Sequence, residues 1–248
     1  MTSATGSGSM SWSAGSEPVR RCAVVAICAV LACLAGCVSA PRLVHRAAPS
    51  AAGAGPASWS PVEREVLALV NRQRMLHHLS SLRPDARLHR AAVLHCREMA
   101  AHRYLGHNSP DGRDFAQRAE AQGYRWQRIG ENVALLVLNG KPGNLARRVL
   151  FGSDHLDRLR SFAGRQGLPL PRTWPDVGQG WDDSDWNQWQ RLAGGRGGWM
   201  GSAGHRKNIL LPGITDIGVG YCAVRERGGR TRHYFAAEFA APVSGASR

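Results

Sequence analysis

Gly198-Trp199-Met200-Gly201-Ser202-Ala203-Gly204-His205-Arg206-Lys207-Asn208-Ile209-Leu210 sits where helical sequence gives way to strand sequence. It sets a serine and a histidine three residues apart, beside a tryptophan and among glycines that let a backbone approach a ligand closely. Downstream, Ile217, Val219 and Tyr221 alternate with small residues, Glu226-Arg227-Gly228-Gly229-Arg230 makes a turn, and His233 to Phe239 returns as a second strand. The pair reads as a hairpin with Cys222 in its first arm.

Upstream the periodicity is helical. Ser60-Pro61-Val62-Glu63 is a capping box with proline at the first helical position, and Val62, Val66, Leu69 and Val70 then share one face as far as about Met75. A second helix is expected from about Asp85 to His102, with Leu88, Ala91, Ala92, His95 and Met99 in a stripe and Gly106 as its stop signal. A third spans about Arg113 to Gln122, closed by Gly123, and a short one covers Asn144 to Phe151. Helices first and strands last predict an α+β domain in which helices cover an antiparallel sheet.

Residues 152–197 differ in character. They carry Trp174, Trp181, Trp186 and Trp189, the aspartates Asp176, Asp182, Asp183 and Asp185, and a glycine-rich end, without a sustained period. They read as a long inserted loop. Its tryptophans suit stacking on sugar rings or insertion at a lipid interface, or else apolar packing over the insertion itself. No EF-hand is present: from Asp183 the sixth position is Gln188 and the twelfth Gly194.

The chain has 248 residues, 43% of them hydrophobic, enough for one generous domain plus processing segments. Arg20-Arg21 followed by the apolar run Cys22 to Gly36 is a signal-type segment, too short to span a bilayer, so residues 1–36 are excluded from the fold. Leu34-Ala35-Gly36-Cys37 resembles the lipobox of bacterial lipoproteins, which implies acylation of Cys37 and a membrane anchor. Val38 rather than aspartate favours the outer membrane where a cell has two. The segment after it, to residue 58, is rich in Ala, Pro, Gly and Ser and reads as a flexible tether spanning roughly 25 Å. The folded domain is placed at 59–241, with a tail at 242–248.

Six cysteines reduce to two once the signal and Cys37 are set aside. Cys96 and Cys222 satisfy an exported protein either as one disulfide or as two buried thiols. The formal charge of +14 falls by only one when residues 1–36 are removed, and so basic a chain is drawn to anionic phospholipid or acidic wall polymers. Nucleic acid is not an expected partner: the arginines are scattered, no nucleic-acid motif occurs, and export removes the chain from it.

Three titratable residues stand beside glycines at element ends: His107, Glu131 and His205. In order along the chain, Tyr104-Leu105-Gly106-His107, Arg118 with Gly123-Tyr124, Gly130-Glu131-Asn132-Val133-Ala134, Trp199 to Leu210 and Ile217-Gly218-Val219-Gly220 resemble the CAP superfamily, and within it the bacterial SCP-like extracellular domain. The resemblance covers about 63–151 and 199–240. It implies an α-β-α sandwich with a central antiparallel sheet and a cleft in which His107, Glu131 and His205 match two histidines and a glutamate of the family. A further glutamate of eukaryotic members has no counterpart, and Asp182, Asp183 and Asp185 stand where a replacement would lie.

Two imidazoles and a carboxylate also suit a divalent ion such as zinc, with an open position for water or an anion, as against a hydrogen-bonded cluster that ties loops together. Ser202 with His205, oriented by Glu131, is the weaker candidate for nucleophilic catalysis, since a serine at that position also reads as a helix N-cap. The expected function is that of an exported, lipid-anchored envelope protein binding a lipid or cell-wall glycan. The alternatives are a metal-dependent or histidine-assisted hydrolase of envelope peptide, glycan or ester, and a protein-binding scaffold.

Overall fold

The computed structural model describes residues 58–243. The signal-type segment, Cys37, the tether up to residue 57 and the tail from residue 244 lie outside them.

Helix α1, Pro61–Leu76, begins at the Ser60 capping box, where Ser60 Oγ accepts from Glu63 N and Glu63 Oε2 from Ser60 N, and buries Val66, Leu69 and Val70. Helix α2, Ala86–His102, is capped by Asp85 and ends at Arg103, whose left-handed φ of 54° closes it. The terminator is therefore Arg103 and not Gly106. Helix α3, Phe115–Ala121, starts at an Asp114 capping box, and α4, Leu145–Phe151, at Asn144. The strands are β1, Arg83–Pro84; β2, Trp126–Asn139; β3, Asp216–Arg225; and β4, Arg230–Pro242.

β2 is the longest strand, and its sequence hides it. Val133 and Leu135 pack on one face while Ala134, Leu136 and Leu138 pack on the other, so a strand covered on both sides reads as a continuous apolar run. The sheet order is β1-β3-β4-β2, antiparallel except that β1 runs parallel to β3. The expected antiparallel sheet is thus a mixed one by two residues.

Alternation along β4 sorts the layers. Phe235, Ala237 and Phe239 face a core shared with α1 and α4, whereas Tyr234, Ala236 and Ala240 face α2 and α3. Gly218 and Gly220 set the α2 spacing, because a Cβ on them would lie 2.1 Å from the Leu88 main chain and 2.4 Å from that of Ala92. Helix and strand meet backbone to backbone, which only glycine permits.

Residues 152–197 are no loop. They form α5, Leu156–Gln166, a 3-10 turn at Trp174–Asp176 and α6, Asp183–Leu192, before α7, Gly198–Gly201, and α8, Ala203–Ile209. Their apolar period is broken by polar turns, and the tertiary core supplies the missing stabilisation. Trp181, Trp186 and Trp189 are buried against Phe162 and Phe151, so the tryptophans pack inward rather than offering a platform. The segment leaves and returns at one point: a Cβ on Gly198 would lie 2.5 Å from Gly152 N.

Candidate functional site

Arg118, on α3, reaches under the sheet edge. Its Nη1 donates to His107 O at 2.8 Å and its Nη2 to Glu131 Oε1, so one guanidinium holds both the loop after α2 and the carboxylate on β2. Glu131 Oε2 lies 2.8 Å from His107 Nδ1. His95, wholly buried on α2, places its Nε2 2.8 Å from Gly106 O and 3.9 Å from Glu131 Oε2. The glycine expected to end α2 is instead the acceptor that lets α2 position His107.

The hydrogen bond to Glu131 raises the His107 pKa, against burial, which lowers it. Its Nδ1 is committed to Glu131, and 48% of the side chain is exposed.

His205 arrives from the other layer. Asn132 Nδ2 donates to His205 O at 3.0 Å, and Asn208 Nδ2 donates to Glu131 O at 3.0 Å and Asn132 Oδ1 at 2.9 Å, binding α8 to β2. Burial, and then the positive charge of His107, lower the His205 pKa. His107 and Glu131 are hydrogen-bonded to each other; His205 is their electrostatic neighbour, with no hydrogen bond to either. It lines instead a groove of about 610 Å3 running along β2 from Val133 to Leu138.

The insertion holds α8 in place. Arg206, with its side chain 3% exposed, donates to Asp183 Oδ1 at 2.7 Å, Asn187 Oδ1 at 3.0 Å and Met200 O at 2.7 Å. Asp182 and Asp185 form the capping box of α6. None of these three aspartates stands in for the missing cleft acid, because helix capping and Arg206 use them.

The acid that sequence reasoning missed is Glu238. It lies opposite Glu131 on β4, fully buried, and neither oxygen has a hydrogen-bond partner among the described residues. Burial first, and then Glu131, hold its carboxyl well above the usual carboxylate range, while Arg118 Nη2 lies 4.0 Å away. The legible signal was a charge inside Phe235-Ala236-Ala237-Glu238-Phe239-Ala240.

A zinc-like ion does not fit this arrangement. Both Glu131 oxygens are engaged, one by a guanidinium whose charge opposes a cation, and among the described residues no three His, Cys, Asp or Glu side chains converge as ligands. Ser202 is the N-cap residue of α8, as expected, but its Oγ makes no capping bond, and no hydrogen bond joins it to His205. Cys96 and Cys222 do meet, with their Sγ atoms 2.8 Å apart, as free thiols.

Known proteins resemble this chain in sequence and in part of their structure. The chain is 26% identical over 166 residues to the uncharacterized protein YkwD of Bacillus subtilis (strain 168), covering 67% of this chain and 44% of that protein. It thus spans less than half of that relative. Among solved structures, an extracellular protein containing an SCP domain from Bacillus anthracis str. Ames aligns with a TM-score of 0.42 and 20% identity, over 75% of this chain and 45% of that one. An outer surface protein of Borrelia burgdorferi aligns with a TM-score of 0.42 and 13% identity, over 73% of this chain and 92% of that one. Among the described residues no helix is long and apolar enough to cross a membrane. The sequence pattern of the CAP, or cysteine-rich secretory protein, family matches residues 67–239, and the chain belongs to that family.

Proposed function

We propose that this protein is an exported, lipid-anchored binding protein of the cell envelope whose cleft takes a polar or anionic group of a cell-wall glycan or a lipid headgroup. One observation carries the reading: half-exposed His107, whose pKa the 2.8 Å hydrogen bond to Glu131 raises, is the electrostatic neighbour of His205, whose pKa burial lowers and which lines a groove of about 610 Å3. An imidazole shifted toward its charged form next to one shifted toward its neutral form can hold a phosphate, carboxylate or sugar hydroxyl. Export through residues 1–36 and acylation of Cys37 would place the cleft within reach of such ligands.

The hydrolase alternative has less support. A serine nucleophile is activated by a base hydrogen-bonded to it, and Ser202 Oγ makes no hydrogen bond among the described residues, while the buried charges around Glu131 serve to fix the loops. The scaffold alternative bears on the groove beyond His205.

Calorimetry of the full chain in mild detergent tests the proposal, with solubilised wall glycan fragments and glycerophosphate as a soluble headgroup. Saturable binding that weakens at least tenfold in His107→Ala and His205→Ala supports it. Binding indifferent to both substitutions sinks it, as does histidine-dependent product release from those fragments.

A further inference from the structure

β2 is an outer strand of the sheet, paired among the described residues to β4 alone. The main-chain groups of successive residues in a strand point to opposite edges, and the carbonyls of Glu131 and Val133 are taken from outside the sheet by Asn208 and by Trp199 Nε1 at 3.3 Å. The odd-numbered residues therefore turn away from β4. Leu135 and Val137 come next in that set, and no other described element hydrogen-bonds to their main chain. Both line the groove.

Exposed edges are usually blunted by charge, proline or a bulge. Val133-Ala134-Leu135-Leu136-Val137-Leu138 carries no charge and no proline, and the strand's one register shift lies far off, between Trp126 and Arg128. The edge is kept regular. Across from it the insertion supplies the facing wall, with Gln190 and Arg196. Arg148, Arg158 and Arg196 all line the groove and no carboxylate does. Arg148 is paired with Asp154 at 2.8 Å, whereas Arg158 and Arg196 are exposed and form no ion pair among the described residues.

We propose that an extended acidic peptide of another protein adds to β2 as a fifth strand, its main chain bonded to Leu135 and Val137 and its carboxylates to Arg158 and Arg196. Main-chain bonds give affinity in this mode and the flanking side chains give preference. Six residues of edge, at about 3.3 Å each, seat roughly 20 Å of strand. The chain's own tether has the wrong sign to fill it, since residues 37–57 carry Arg42, His45 and Arg46 and no acid. The proposal rests on the groove being a binding site, as in the proposed function, but not on what the histidines hold.

The probe is a capped, fluorescein-labelled octapeptide of alternating Glu and Val, titrated by polarisation against the full chain in mild detergent. Saturable binding is expected, weakened at least tenfold when Lys replaces Glu, when one alternate set of peptide nitrogens is methylated but not the other, and in the double variant Arg158→Glu, Arg196→Glu. Bound peptide should also slow hydrogen exchange at the Leu135 and Val137 amides of the unmodified protein. His107→Ala should leave this binding unchanged, which separates it from the cleft ligand. Absence of saturable binding overturns the proposal; so does equal affinity of both methylated sets, or equal binding of oligogalacturonate, an acidic glycan without peptide bonds.

Discussion

Glu131 and Glu238 stand directly opposite each other on β2 and β4, both buried, with the guanidinium of Arg118 reaching between them. Arg118 bonds Glu131, while burial and the neighbouring Glu131 carboxylate hold the Glu238 carboxyl well above the usual range, which favours its neutral form. Two carboxylates so close cannot both ionise cheaply.

Glu238→Gln should therefore stabilise the protein. A raised folded pKa gives a contribution that is complete below the unfolded value of about 4.3 and is lost as pH rises toward the folded value, so the wild type weakens with alkalinity. The glutamine variant should exceed it by about 1–3 kcal/mol at pH 8, and the gap should close near pH 4. Denaturant unfolding at both pH values checks this. A gap that is the same at both would rule out titration of Glu238.

The two cleft histidines should titrate in opposite senses. His107, raised by Glu131, favours the fold below the usual value of about 6.5 and loses that contribution as pH rises through its folded pKa. His205, lowered by burial and by His107, contributes above that value and loses it as pH falls. Proton-carbon NMR of the imidazoles should place His107 above 6.5 and His205 below, and Glu131→Gln should lower His107. The reverse order would remove the basis of the proposed binding mode.

Gly218→Ala or Gly220→Ala should cost about 1–3 kcal/mol or more, because a methyl group would enter the α2 main chain. Gly204→Ala is the control, since nothing lies within 4 Å of a Cβ there, and it should change stability little. Thermal unfolding of the three variants separates the cases.

Excision of residues 153–196 should prevent folding. It would uncover Phe151 and leave buried Arg206 without Asp183 and Asn187. Cooperative unfolding of the shortened chain near the wild-type midpoint would show the segment to be an appendage.

Cys222 should react with iodoacetamide before Cys96. Burial pushes the Cys96 thiol up, whereas the hydrogen bond from Cys96 draws that of half-buried Cys222 down. With their sulfurs 2.8 Å apart, oxidised glutathione should close a bridge between them by exchange, releasing reduced glutathione and leaving the protein two hydrogens lighter. Labelling in the opposite order, or no mass change, would count against the pairing.

Much of this was legible in local sequence. The Ser60 capping box, the α2 stripe, the hairpin around Gly228-Gly229 and the Asn144 start are decided within a few residues, so their signals survive in one dimension. The ordered motifs pointed to the family, and with it to His107, Glu131 and His205. The helices of residues 152–197 were not legible, since their short amphipathic runs gain stability only by burying Trp181, Trp186 and Trp189 against Phe162 and Phe151.

By itself the sequence determined the capped helices, the strand pair and, through its ordered motifs, the family, because each rests on local geometry or motif order. Only the tertiary structure decided that Glu131 is held by Arg118 rather than free for a metal, that Glu238 faces it, and that β2 offers an unpaired edge to a groove of arginines. Those features depend on which residues, distant in the chain, share one low-dielectric interior or one strand edge, and charge pairing and main-chain pairing are settled there.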